Sequence, residues 1–281
     1  MTNDQQARRQ YWTNQMDAAF DFMQQMREYP VEECGEPMAS MPVAAAEAGL
    51  EVQFSTSKIA FDLDRVFFLR VGLIEGFLAA AKEMNQRGWI LKIEDGFRSV
   101  LMQQSVSRRP LVFDGILKTT MWELDGAVPT PEFMLKRVSA LTATRPKIGT
   151  HMSGSAIDIS VFRKSDGSEV DRGKPYLEMS ELTPMLSPFI SAEARQNRQV
   201  ITEIMERHGF VHYPFEFWHY NSGDCYGEAL TGTGKPGRYG AVNWNPADNS
   251  VEAIADPQEL LQPHEAIQRE IDMSLERLAK A

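Results

Sequence analysis

Residues 156–162 read Ala-Ile-Asp-Ile-Ser-Val-Phe, and this alternation constrains the chain more than any other stretch. As a strand it puts Ile157, Ile159 and Val161 on one face and Ala156, Asp158 and Ser160 on the other. Asp158 therefore falls mid-strand. An unpaired carboxylate there is costly, so the fold has to supply a cation, a metal or several donors.

Two imidazoles are placed to do so. His151 precedes Asp158 by seven residues, which on a straight strand would put the two on opposite faces. The Ser153-Gly154-Ser155 loop between them removes that obstacle. Further on, Tyr213-Pro214-Phe215-Glu216-Phe217-Trp218-His219-Tyr220 holds an acid and an imidazole inside an aromatic run. A plain strand would alternate apolar with surface-polar residues instead. His151, Asp158 and His219 make three protein ligands with one open position, the pattern of a catalytic zinc site, with one Zn2+ per chain. A single histidine is more often a satisfied core or surface group. The set of three beside Glu216 reverses that preference.

Glu216 suits the role of general base on a metal-activated water and proton donor to the leaving amine. Glu216 and His219 are three residues apart, so an ideal strand would point them to opposite faces; a bend or bulge between them is expected. Trp89 to Ile93 reads as a buried strand, followed by Asp95-Gly96-Phe97-Arg98. A tight turn at Gly96 would throw Arg98 out at the strand end. From there a guanidinium can stabilise the charge of a tetrahedral intermediate. The remaining histidines have ordinary settings: His208 at a helix end, His212 before the aromatic run and His264 in the tail helix.

Around this centre the pattern is mostly helical. Residues 4–28 carry Trp12, Met16, Phe20 and Met23 at helical spacing, a docking face ended by Tyr29-Pro30. Residues 30–50 read as a connector. Asp62 to Arg87 reads as one helix with Val66, Leu69, Leu73, Phe77 and Ala80 on a face, and 100–128 is ambiguous. Thr130 caps a helix that leads to Ala143, and Ser191 caps another that reaches His208. The polar excursion 163–190 between strand and helix is a candidate pocket wall. Ile267, Ile271, Leu275 and Leu278 stripe a final helix, roughly 263–280.

With 281 residues, 43% of them hydrophobic, the chain can bury a substantial core. A net charge of −10 argues against nucleic acid and anionic membranes as partners. No apolar stretch is long enough to span a bilayer and no secretory signal is visible, which sets the expected location as cytoplasmic. Cys34 and Cys225 read as free thiols.

His-x-x-Gly-x-Ala-x-Asp at 151–158, Glu-x-x-His at 216–219 and Asp-Gly-Phe-Arg at 95–98 together resemble the M15 zinc peptidases. The nearest branch is the D-alanyl-D-alanine dipeptidases of the vancomycin-resistance type. The likeness covers roughly residues 60 to 222 and includes Glu193 to Arg198, Ile204-Met205 and Gly209-Phe210. It implies an α+β fold, a small antiparallel sheet carrying the zinc and packed by helices. It also implies hydrolysis of a short D-configured peptide from cell-wall metabolism. Motif by motif it assigns zinc to His151, Asp158 and His219, the base to Glu216 and transition-state stabilisation to Arg98. The stretch 172–178, by the same likeness, offers Glu178 and Tyr176 to the substrate.

The expected organisation is one domain, 1–281: a catalytic core at about 55–222, an N-terminal helix and connector at 1–54, and a C-terminal extension at 223–281. The terminal helices offer a surface for a homo-oligomer. Two other functions fit the motifs: a peptidoglycan D,D- or L,D-carboxypeptidase or endopeptidase, and a non-catalytic zinc-stabilised binding domain on the same scaffold.

Overall fold

The computed structural model describes residues 3–280; Met1, Thr2 and Ala281, at the bounds of the expected domain, lie outside the described residues. The chain runs α1 (Asn3–Glu28), β1 (Met38–Ser40), α2 (Met41–Glu47), β2 (Val52–Phe54), β3 (Phe68–Arg70), α3 (Ile74–Gln86) and β4 (Trp89–Asp95). Then come α4 (Val100–Val106), α5 (Pro110–Glu123), α6 (Pro131–Leu141), β5 (Ala156–Arg163) and α7 (Ala192–Arg207). It closes with β6 (Val211–His212), β7 (His219–Asn221), α8 (Cys225–Thr231), β8 (Val242–Asn245), β9 (Ser250–Ala253) and α9 (His264–Leu278). Helices and small sheets together make an α+β fold.

The sheet that matters has the order β2-β4-β5-β7-β6. Its β4, β5, β7 and β6 are antiparallel neighbours, as expected, but β2 joins β4 in parallel, so the sheet is mixed. The alternating segment β5 lies at its centre with both faces buried from Ala156 to Val161. Ser99, Thr130 and Ser191 accept a backbone N–H at the starts of α4, α6 and α7, satisfying donors that a helix N-terminus leaves free.

The helix expected over Asp62 to Arg87 begins only at Ile74 as an α-helix, and residues 68–70 are strand β3. Long-range bonding decides this. The buried Arg70 guanidinium donates to the Ser153 carbonyl (2.6 Å), the Glu36 carbonyl (2.6 Å) and a Glu33 carboxylate oxygen (2.9 Å). Those partners hold its backbone extended against β1, which overrides a helical apolar pattern. The connector 30–50 holds β1 and α2, and the ambiguous stretch resolves into α4 and α5.

One main hydrophobic core takes Ile157 and Ile159 from β5, Trp12, Met16 and Met23 from α1, and Ile267 and Ile271 from α9. The apolar stripes of both terminal helices are thus buried in the chain's own core, the docking face of α1 among them. Among the described residues no helix is long and apolar enough to cross a membrane. Cys34 is exposed, Cys225 is buried, and both are free.

Candidate metal centre

The register of three strands builds the centre. Asp158 on β5 faces His219 on β7 and, on its other side, Asp95 on β4. The last pairing follows an irregularity between Ile93 and Asp95, a bulge that brings Asp95 into the row. Two buried carboxylates side by side repel, and Arg98 answers both. Its Nε donates to Asp95 (2.7 Å) and its Nη2 to Asp158 (3.3 Å), while Nη1 donates to Gln103 (3.2 Å). Burial opposes the guanidinium's charge, but Asp95 and Asp158 hold its pKa above the ordinary value.

Arg98 is therefore not thrown outward; it is 7% exposed. Gly96 also works differently from a flexible turn. A Cβ there would lie 2.7 Å from the Val66 carbonyl oxygen, so glycine is needed because another backbone segment passes close by.

His151 arrives on the loop before β5. Gly154, at φ +68, turns that loop, and a Cβ on it would meet Met38 at 2.5 Å. The Ser153 and Ser155 hydroxyls both donate to the Thr150 carbonyl (2.7 and 3.1 Å), and the Arg98 N–H donates to the His151 carbonyl (3.1 Å). His151 Nδ1 lies 2.7 Å from the Gly96 carbonyl, so it carries the proton and donates. Its Nε2 lies 3.3 Å from Asp158 Oδ1. His219 is turned the other way. Its Nδ1 lies 3.0 Å from the same Oδ1, and its Nε2 lies 3.0 Å from the Thr150 hydroxyl.

This donor set fits zinc. Ligand atoms of His151, Asp158 and His219 all lie within 4.8 Å of one another. Bonds of about 2.0–2.1 Å in a tetrahedron give donor–donor edges of roughly 3.3–3.4 Å, close to the two separations above. Each imidazole is oriented through its far nitrogen, as metal-bound histidines are. Burial alone would raise the Asp158 carboxyl, but His151 and His219 overcome it and hold it well below its ordinary range. Burial lowers His219 against the pull of Asp158, keeping the ring neutral. An anionic Asp158 and a neutral His219 are states that ligation requires.

The expected bend between Glu216 and His219 is present. Residues 213–218 form a turn-rich loop between β6 and β7, in which the Glu216 N–H donates to the Tyr213 carbonyl and the His219 N–H to the Glu216 carbonyl, both at 3.3 Å. Glu216 thereby lines the same cavity as His151, Asp158, His219 and Arg98. Burial first, and Asp158 second, push its carboxyl well above the usual range, against Arg98 and a hydrogen bond from Trp218.

The excursion 163–190 does form a wall: Leu177 and Met179 line the cavity. Neither expected substrate contact on it does. The Tyr176 hydroxyl donates to Asp158 Oδ2 (3.0 Å). Glu178 faces a neighbouring groove and accepts from the Ser180 hydroxyl (2.5 Å). Asp95, Gln103, Thr150 and Trp218 were not assigned from sequence. Asp95 and Thr150 stood inside or beside the motifs, three residues from Arg98 and next to His151, and that proximity was the available signal.

Residues 56–231 match the family model for the M15 peptidases, described as D-Ala-D-Ala dipeptidase. A D-alanyl-D-alanine dipeptidase of Synechocystis sp. is 24% identical over 218 residues, covering 69% of this chain and 85% of the relative. One from Enterococcus faecium is 38% identical over 71 residues, 25% of this chain, and the match spans only 35% of that relative's length. Among solved structures, the LD-carboxypeptidase LdcB gives a TM-score of 0.38 at 15% identity, over 81% of this chain and 85% of that one. The D,D-pentapeptidase VanY, in complex with Zn(II), gives 0.35 at 14%, over 74% and 92%. With the family model matching well over half of its length and the motif residues gathered at one cavity, the chain belongs to the M15 metallopeptidase family.

Proposed function

We propose that this protein is a zinc dipeptidase that hydrolyses D-Ala-D-Ala or a closely related dipeptide. His151, Asp158 and His219 hold the metal. When bound, zinc supplies a Lewis acid and lowers the pKa of a water to about 7. The observation that carries the reading is the position of Glu216, buried on the metal cavity and opposite a carboxylate that stays ionised.

Glu216 is a buried carboxyl whose pKa is raised, which suits a group that takes a proton and gives it back. It removes the proton from the attacking water and returns it to the leaving amine. Arg98 spends three of a guanidinium's five N–H donors on Asp95, Gln103 and Asp158. The others are free to stabilise charge growing on the carbonyl oxygen. Tyr176 and Arg98 both donate to Oδ2 of Asp158, which holds the other oxygen toward the imidazoles. The cavity favours a short substrate. Its volume is ≈ 50 Å³, and apolar side chains such as Val112, Leu141 and Ile148 belong to its lining. The relatives named for D-Ala-D-Ala hydrolysis support the choice of dipeptide.

The test is a panel of D,D-, L,D- and L,L-dipeptides, with a tripeptide added, given to zinc-loaded protein. Hydrolysis of D,D-dipeptides in preference to the rest is the expected outcome. No dipeptide turnover by fully loaded protein refutes the reading, and preference for the tripeptide replaces it with a carboxypeptidase. Glu216→Ala should keep its zinc and lose turnover by about 10²–10⁴-fold. Loss of zinc instead would make Glu216 a ligand.

A further inference from the structure

The cavity is completed by a residue from outside the family-matched segment. Met23, on α1, is 4% exposed and lines the cavity with the metal-centre residues. Its sulfur touches the Tyr226 hydroxyl (2.6 Å), which also donates to the Ile148 carbonyl (2.8 Å). Tyr226 in turn packs against Tyr213 (ring centroids 5.6 Å), and Tyr213 against the His219 ring (5.9 Å). An unbroken row of side chains thus joins α1 to a metal ligand. Met23 stands at the far end of that row and lines the same cavity.

The helix that carries Met23 is firmly seated at both ends. Near its start, Arg8 pairs with Glu181 (2.9 Å) and lies over the Phe189 ring (4.5 Å), tying α1 to the excursion 163–190. At its other end Lys147 donates to the Tyr29 carbonyl (2.6 Å), tying the chain just beyond α1 to the segment before His151. The wall cannot move away to admit a larger group without breaking these contacts. A thioether with three rotatable bonds fills the remaining space and adapts to a small neighbour, but cannot vacate it.

We propose that Met23 is a specificity-determining residue. As part of the cavity lining it limits the peptide to small side chains flanking the scissile bond. This rests on the dipeptidase reading above. A hydrophobic pocket discriminates by about 10–200-fold for each methylene it must accommodate. Shortening Met23 to alanine removes three heavy atoms from the wall and should relax the limit by at least about tenfold.

The experiment compares D-Ala-D-Ala with D-Leu-D-Ala and D-Ala-D-Leu, using zinc-loaded wild type, Met23→Ala and Met23→Phe. The ratio of kcat/KM for a leucine-containing peptide to that for D-Ala-D-Ala should rise about tenfold or more in Met23→Ala for at least one peptide. In Met23→Phe, D-Ala-D-Ala itself should lose a comparable factor through KM. Calorimetric affinities for the same peptides, measured in a Glu216→Ala background, should move in the same ratios without relying on turnover. Should Met23→Ala fail to fold, Met23→Phe decides alone. Ratios and affinities unmoved in the folded variants overturn the assignment of Met23 while leaving the dipeptidase intact. A wild type that neither binds nor cleaves any of the three peptides takes both down.

Discussion

Among the described residues, two of the buried charge clusters are built on opposite plans. The metal centre gathers Asp95, Arg98, His151, Asp158, Glu216 and His219 from three strands and three loops, all but Asp95 lining one cavity. The other lies at Phe217, where the Arg172 and Arg198 guanidinium groups lie over the ring at 4.9 and 4.1 Å. Arg198 gives its donors to the carbonyls of Arg172, Leu182, Pro184 and Met185. Arg172 bonds to Ile159, Ser160 and Glu169. In the first cluster side-chain lone pairs converge on space. In the second, donors are mostly consumed by backbone. Burial of charge is common to both; what separates a site from a staple is whether the groups still face something other than the protein.

Changes at the first cluster should strike chemistry, and changes at the second should strike stability. The largest effect is expected from Asp158→Asn. It removes the anionic ligand and the partner of both imidazoles, so zinc per chain, read by elemental analysis, should fall to background and turnover to that of metal-stripped protein. Full zinc occupancy in this variant would break the ligand assignment.

Next is Arg98→Lys, which keeps the charge but not the fork that spans Asp95 and Asp158. Turnover should fall about 10²–10³-fold with zinc retained, as for loss of a transition-state donor. A rate within a factor of two of wild type would reduce Arg98 to a structural bridge.

Arg198→Gln tests the other side. It leaves several buried carbonyls short of donors, and should cost about 3–5 kcal/mol in denaturant unfolding. At a temperature where the variant is folded, kcat should stay within several-fold. A variant of normal stability but lost turnover would erase the contrast between the clusters.

The smallest effect is a pH dependence of stability in metal-stripped protein. The folded Glu216 carboxyl holds its proton more tightly than the unfolded one, whose ordinary value is 4.5. Below that pH both states are protonated and nothing is lost. As pH rises past it, the unfolded state ionises first and the fold loses stability, until the pH passes the folded value. Glu216→Gln should therefore stabilise the metal-free protein near neutral pH, with the gain vanishing below pH 4.5. A gain that grows toward acid would reverse the sign and contradict a buried, raised carboxyl.

Local signals account for what could be read without the fold. Alternation at 156–162 placed Asp158 mid-strand, Thr130 and Ser191 announced helix starts, and three-residue spacing demanded the bend between Glu216 and His219. Each rests on interactions that span one turn or one strand, so the residues concerned lie within a few positions of each other. Tertiary structure alone decided the rest. It cut the helix expected from Asp62 back to Ile74, because the partners of Arg70 lie 34 to 170 residues away. It set Asp95 beside Asp158 through a bulge, which put Arg98 between two carboxylates rather than in solvent. And it carried Met23, legible only as one residue of a docking stripe, to the wall of the metal cavity. Periodicity says that a side chain will be buried; only the pairing of distant segments says against what.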